Sequence, residues 1–355
     1  MKKGLALILA LVLVLSLSVS AMAEGIGIAL VTDVGNIDDQ SFNQGTWEGV
    51  VAYAEAEGLV KDTDYAYYRP SEDSDAARIE SIVAAIEKGA TTVVLPGYLF
   101  DAAVIEMAAK YPEVMFLGVD LTPSDAYTPN INNIAYKEEI AGFCAGYAAV
   151  KDGYTKLGFL GGIDVPAVVR YGHGYVQGAD FAAQEIGAEV SVKYWYSAAF
   201  WPTDEIKAKM DSWYADGTEI VFSCGGGIYN SCLAAAQEAG GKKLIGVDTD
   251  QGYIDELIVT SAYKLIPTAV HSALDKLKAA DGTFPEDLAG KTTNYGAAEG
   301  AVGIPTAEAS WRFNTFTVAE YEAMFAKIVS GEIAISDDID NHPATSETVT
   351  VDYQN

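Results

Sequence analysis

IGIALVTD (26–33) is a short β-rich run, and the segments after it keep one rhythm: NQGTWEGVVAYAEAEG (43–58), DYAYYRP (64–70), DAARIESIVAAIEKGA (75–90), TTVVLPG (91–97), DAAVIEMAAKYP (101–112) and VMFLGVD (114–120). Apolar β-type segments alternate with longer segments of helical spacing. Ile79, Ile82, Val83 and Ile86 recur on one helical face and Gly89 stops the run. Strand and helix in strict alternation predict parallel βαβ units with helices on both faces of the sheet. After NINNIAYKEEIAGFCAGYAAV (130–150) the rhythm starts again. KLGFLGG (156–162), EVSVKYWY (189–196), EIVFSCGG (219–226) and KLIGVD (243–248) read as strands, separated by helical stretches around 174–187, 205–217 and 229–241. Two doubly wound α/β lobes are the economical interpretation. The tail from VTSAYK (259–264) onward is too short for a third domain and is expected to return and complete the lobes.

The first 23 residues carry Lys2 and Lys3, an apolar run from Leu5 to Leu15 and the ending Ala21-Met22-Ala23, the pattern of a cleaved export signal. The uninterrupted apolar run is shorter than a membrane span needs. Residues 1–23 are therefore expected to be a signal peptide and the mature chain to begin at Glu24, in the periplasm or at the cell surface. No cysteine follows the leader, so a lipid anchor is not supported. The 332 residues that remain of 355 suit two lobes better than one core.

Lys and Arg number 22 against 50 Asp and Glu, a net charge of −28 that becomes −30 without Lys2 and Lys3. Such a field argues against nucleic acid, anionic lipid or polyphosphate partners and leans toward a neutral or cationic ligand. Cys144, Cys224 and Cys232 are odd in number and form no CxxC, so they read as small buried hydrophobes. The histidines, His173, His271 and His342, make no metal-ligand pattern, GxSxG is missing, and IGIALVTDVG lacks the GxGxxG of a dinucleotide site. CGGGIYNS has no P-loop lysine. No catalytic residue, metal or cofactor is expected.

In open parallel sheets the ligand sits beyond the carboxyl ends of the strands. Asp33, the Gly97 loop, Asp120, the Gly225-Gly226-Gly227 turn and Asp248 stand at such ends. Asp120 and Asp248 close matching runs, FLGVD and LIGVD, one in each half. A carboxylate there can accept from a vicinal diol or a nucleobase N–H, and equally it can cap a helix. Phe42, with Asn43 beside it, lies in the polar loop DVGNIDDQSFNQG and is either a core plug or a stacking platform. Phe200 and Trp201 are the matching aromatics of the second half. Lys264, a single base in a β-like run, neutralises a site carboxylate, donates to a ligand hydroxyl or lies on the surface.

VTDVGNIDDQSFNQGTWEGV (31–50) resembles the opening signature of the basic-membrane-protein (BMP), or purine-nucleoside-receptor, family of ABC-transporter substrate-binding proteins. FLGGIDVPAVVRYGHGYVQGAD (159–180), IVFSCGGGIYNS (220–231), LIGVDTDQ (244–251), VTSAYK and EGAVGIP (299–305) agree with it, so the resemblance runs through almost the whole mature chain. It implies a periplasmic-binding-protein type I fold with two lobes joined by a three-segment hinge. The expected division is 24–133 with 252–320 in one lobe and 134–251 with 321–355 in the other. It further implies a non-enzymatic, monomeric receptor that takes a nucleoside-like ligand to an ABC permease. By this resemblance Asp120 meets the base, Asp248 accepts from the ribose with Lys264 nearby, and Phe42 stacks on the base with Phe200 opposite. Asp33, Asn43, Trp201, Gly225 and Gly226 complete the expected site. The turn CGGGIYN is longer than the family's Gly-Gly-Thr-Gly-like loop, which leaves a sugar or another nucleoside-like solute as the alternative. A nucleosidase-type hydrolase is the enzymatic alternative, and a sensory ectodomain would need a signalling partner.

Overall fold

The computed structural model describes residues 27–354; the expected signal peptide lies outside them. The first series forms β1 (Ile28–Val31), α1 (Phe42–Glu57), β2 (Tyr65–Tyr68), α2 (Asp75–Glu87), β3 (Thr92–Pro96), α3 (Asp101–Lys110), β4 (Met115–Val119) and β5 (Ile131–Tyr136). The second forms α4 (Glu138–Lys151), β6 (Lys156–Gly161), α5 (Pro166–Ile186), β7 (Val190–Tyr196), α6 (Asp204–Ala215), β8 (Ile220–Cys224), α7 (Tyr229–Glu238), β9 (Lys243–Asp248) and β10 (Ile258–Lys264). The tail adds α8 (Ile266–Ala279), β11 (Lys291–Tyr295), β12 (Val302–Gly303), α9 (Val318–Val329) and β13 (Val349–Tyr353).

The strands make two sheets, ordered β11-β5-β4-β3-β1-β2 and β12-β10-β9-β8-β6-β7-β13. All pairings are parallel except β10 with β12. β1, β3, β4 and β8 are buried along their whole length, as strands covered by helices on both faces must be. In each sheet the first strand of its series lies between the second and third, so the chain reverses direction there. Ligands of doubly wound sheets sit outside that reversal.

The pairing differs from the expected division in the tail. Ile258–Lys264 and Val302–Gly303 join the second sheet, whereas 252–320 was expected with the first lobe; β5 also stays in the first sheet up to Tyr136. The reason is the hydrogen-bond ladder, since β10 extends the second sheet alongside β9. Only α8 and β11 return to the first lobe, β11 beside β5 and α8 against α1. A Cβ on Gly49 of α1 would lie 2.7 Å from Val270 Cβ of α8. The chain thus passes between the sheets at Lys137, at Leu265 and through 296–301. These three hinge segments are tied to their neighbours, with Lys137 N–H donating to the Tyr295 carbonyl (2.9 Å) and Leu265 N–H to that of Ala301 (2.9 Å).

α4 is buried on every side, and its contact with α5 is a backbone contact. A Cβ on Gly142 would lie 2.1 Å from the Tyr171 carbonyl oxygen, one on Gly146 2.1 Å from that of Tyr175, and one on Gly174 2.1 Å from that of Glu139. No side chain fits there. The start of α4 is therefore fixed rigidly against α5, at the edge of the space between the lobes. Cys144, Cys224 and Cys232 are buried free thiols.

Candidate functional site

The carboxyl ends of both sheets open onto one cavity of about 300 Å³, within the size range of small-molecule sites. Its first-lobe wall is built by the loop after β1. Asp39 organises that loop by accepting from the N–H groups of Ser41 (2.9 Å), Asn43 (3.1 Å) and Gln44 (3.0 Å) at the start of α1. Asn43 Nδ2 donates to Asp33 Oδ1 (2.8 Å) and Asp39 Oδ2 (2.9 Å), while its own Oδ1 accepts from the Asp33 N–H (3.3 Å). Both amide protons of Asn43 are thereby engaged inside the loop, so Asn43 holds the wall in shape. Burial pushes the Asp33 carboxyl up to about 6 against the pull of the Gly35 N–H and Asn43. Phe42 begins α1, half-buried, packed on the core and lining the cavity.

The floor is an ion cluster. Lys264, at the end of β10 and 3% exposed, extends Nζ to Asp120 Oδ2 (2.5 Å), Glu138 Oε1 (3.4 Å) and Asp248 Oδ1 (3.5 Å). The same ammonium lies 5.0 Å from the centre of the Phe42 ring. Burial alone would lower Lys264, but Asp120, Tyr171, Glu138 and Asp248 outweigh it and hold the ammonium well above its usual value. Burial raises the Asp120 carboxyl, and Lys264 pulls it back. Arg170 Nε donates to Glu138 Oε2 (2.6 Å), and the Ser41 hydroxyl donates across the lobes to Asp248 Oδ2 (2.6 Å). Two cations thus face three carboxylates, and Asp120 Oδ1 is buried without a partner.

Neither Asp120 nor Asp248 caps a helix. Both have positive φ, 57° and 64°, whereas an N-cap residue lies in the extended region. The capping after β9 is done by Asp250, whose Oδ1 accepts from the Gly252 N–H (3.0 Å).

The second-lobe wall carries Phe200, seated on the glycine turn after β8. Gly225 and Gly226 have φ of 150° and 49°. A Cβ on Gly225 would lie 2.9 Å from Phe200 Cδ1, and one on Gly226 2.8 Å from the Phe200 carbonyl oxygen. The turn is a seat for this ring. Trp201 departs from the expected pairing: it does not line the cavity, is 46% exposed and stands on the rim near Asp33, Val34 and the segment Arg69–Asp73. Seating Phe200 inward leaves its neighbour outside.

Asp33, Phe42, Asn43, Asp120, Phe200, Gly225, Gly226, Asp248 and Lys264 therefore share one cavity. Tyr98, Glu139, Arg170 and Tyr171 line the same cavity without being among the expected residues, and the buried Ser41 and Glu138 stand behind its walls. One signal was available for the acids: Glu138 and Glu139 are adjacent carboxylates opening a helix that is otherwise apolar almost throughout.

A family model described as ABC transporter substrate-binding protein PnrA-like (Bmp) matches residues 26–338. The chain is 28% identical over 294 residues to an ABC transporter nucleoside-binding protein BmpA of Lactococcus lactis subsp. cremoris, covering 78% of this chain and 80% of the relative. It is 28% identical over 284 residues to basic membrane protein A1 of Borrelia garinii subsp. bavariensis, covering 78% and 79%. Among solved structures, an ABC-transporter solute-binding protein from Aeropyrum pernix K1 matches in fold with a TM-score of 0.74 at 22% identity, over 88% of this chain and 94% of that one. The arabinose-binding component from Shewanella sp. ANA-3 matches with a TM-score of 0.59 at 18% identity, over 87% and 99%. Proteins of this kind work outside the cytoplasm or attached to the cell surface. Among the described residues no helix is long and apolar enough to cross a membrane. With its two-lobed parallel-sheet fold, its cleft and this match over most of its length, the chain belongs to the Bmp family of PnrA-like substrate-binding proteins of ABC transporters, a class that carries a small molecule to a membrane permease and is not a class of enzymes.

Proposed function

We propose that the protein captures a purine nucleoside between its lobes and delivers it, as a monomer, to the permease of an ABC importer. The observation that carries this reading is the buried, unpartnered Asp120 Oδ1 in a cavity that also holds Phe42 from one lobe and Phe200 from the other. A donor-bearing planar ligand answers all three: its N–H supplies Asp120, and its ring stacks on aromatic faces, an interaction worth about 1–3 kcal/mol per base. Asp248 accepts from the ribose hydroxyls, with Lys264 between the two carboxylates. Ligand contacts made by both lobes at once stabilise the closed state and shift the population toward it.

Calorimetric titration with inosine, guanosine, adenosine, uridine, D-ribose and L-arabinose tests the assignment. Binding of a purine nucleoside, weakened roughly 10- to 100-fold in folded Phe42→Ala, is the expected result. Binding of a sugar without any nucleoside refutes the ligand class, unchanged affinity in Phe42→Ala refutes the stacking role, and steady release of free base refutes a receptor.

A further inference from the structure

Glu139 opens α4 two residues after the first hinge crossing and lines the cavity. It is only 4% exposed, and its Oε2 has no hydrogen-bond partner. The cation next to it, Arg170, attracts the carboxyl but makes no hydrogen bond to it; its Nε–H goes to Glu138 at 2.6 Å. Nor can Glu139 back away. Its carbonyl oxygen lies where a Cβ on Gly174 would come within 2.1 Å, so the backbone of α4 is pressed on α5 at this residue. Around it stand Glu138 on the same helix, Arg170 on α5, and Asp337 on the segment that crosses α5. That segment is fixed by two bonds between Gln177 and Ser336 (2.9 and 2.8 Å) and one from His173 to the Asp338 carbonyl (2.8 Å). Burial, with Glu138 beside it, pushes the carboxyl up to about 7. A buried acceptor with no partner, rigidly held at a cavity wall, is costly to the empty protein and is relieved by a donor that enters the cavity.

We infer that Glu139 is a specificity-determining residue, whose carboxylate accepts a hydrogen bond from a second N–H or O–H group of the ligand, separate from the donor that meets Asp120. The inference rests on the nucleoside reading for its ligand class and deepens it: the cavity selects solutes with two donor groups and rejects those lacking either. Arg170 lines the same cavity, and its Nη groups have no hydrogen-bond partner among the described residues, so they are available to an acceptor beside the second donor.

The test is a set of thermodynamic cycles by calorimetry. Wild type, Glu139→Gln and Glu139→Met are titrated with the tightest nucleoside and with its 2′-deoxy, 3′-deoxy, 5′-deoxy and deamino analogues, and folding is checked by circular dichroism and thermal melting. One analogue is expected to bind wild type roughly 10- to 100-fold more weakly than the parent, while Glu139→Met binds parent and that analogue equally. Glu139→Gln, which keeps one acceptor and the shape, falls between and carries the test if the methionine variant does not fold. Variants within twofold of wild type for every ligand, or an equal loss for all analogues, overturn the role. If wild type binds a sugar and no nucleoside, the nucleoside reading fails alone, and the same cycles with deoxy-sugars decide the role of Glu139.

Discussion

Lys264→Met removes the cation around which the floor of the cavity is gathered, and methionine keeps most of the stem's volume. The surviving contacts decide which carboxylate suffers. Glu138 keeps Arg170 at 2.6 Å and Asp248 keeps the Ser41 hydroxyl at 2.6 Å. Asp120 keeps nothing: Oδ1 has no partner already, and Oδ2 loses its 2.5 Å bond to Nζ while its side chain is only 5% exposed. Stranding one member of a buried pair costs about 3–5 kcal/mol. The carboxyl escapes by taking a proton, at about 1.36 kcal/mol for each pH unit above its ordinary value of 3.8. That ceiling is about 5.7 kcal/mol near pH 8 and about 1.6 kcal/mol near pH 5. Urea unfolding of wild type and variant at both pH values, with linear extrapolation, should give a loss of about 3–5 kcal/mol near pH 8 that shrinks below about 2 kcal/mol near pH 5. A loss under about 1 kcal/mol near pH 8, or the same loss at both pH values, refutes the ion cluster as the organiser of the floor.

Gly146→Ala brings a Cβ to 2.1 Å from the Tyr175 carbonyl oxygen, so it should destabilise by about 1–3 kcal/mol despite alanine's better helix propensity; a thermal midpoint at or above wild type contradicts the backbone contact. Ser41→Ala removes an interlobe hydrogen bond to a carboxylate that sits beside the bonds from Thr249 (3.1 Å) and Gln251 (2.9 Å) to the Gln40 carbonyl. With the lobes held together the variant should lose about 1.5 kcal/mol, read by stopped-flow as roughly tenfold faster ligand release, and an unchanged release rate counts against a role for this bond in holding the lobes together. Asp33, raised from 3.8 to about 6, and Glu139, raised from 4.5 to about 7, bind more protons folded than unfolded across that interval. Their contribution to stability therefore falls as pH rises from about 4 to about 7. In the ligand-free protein Glu139→Gln should flatten that decline relative to wild type in melts across the interval, and parallel profiles refute the shift at Glu139.

Strand and helix alternation was legible in the sequence because each parallel βαβ unit writes its own apolar pattern, and so were two doubly wound sheets. Asp33, Phe42, Asp120 and Asp248 were legible for the same reason, since a parallel sheet brings the loops after its strands to one edge whatever else the chain does. The membership of VTSAYK was not. It reads as a strand in either lobe, and only the ladder with β9 assigns it. Lys264 looked like a lone base until three carboxylates from distant segments met it, and Trp201 looked like Phe200's partner until the glycine turn seated one ring and left the other on the rim. Local periodicity determines the elements and where their loops emerge. Which charges pair, which ring turns inward and whether Glu139 is left without a partner depend on contacts between residues far apart in the chain, and the tertiary structure alone decides those.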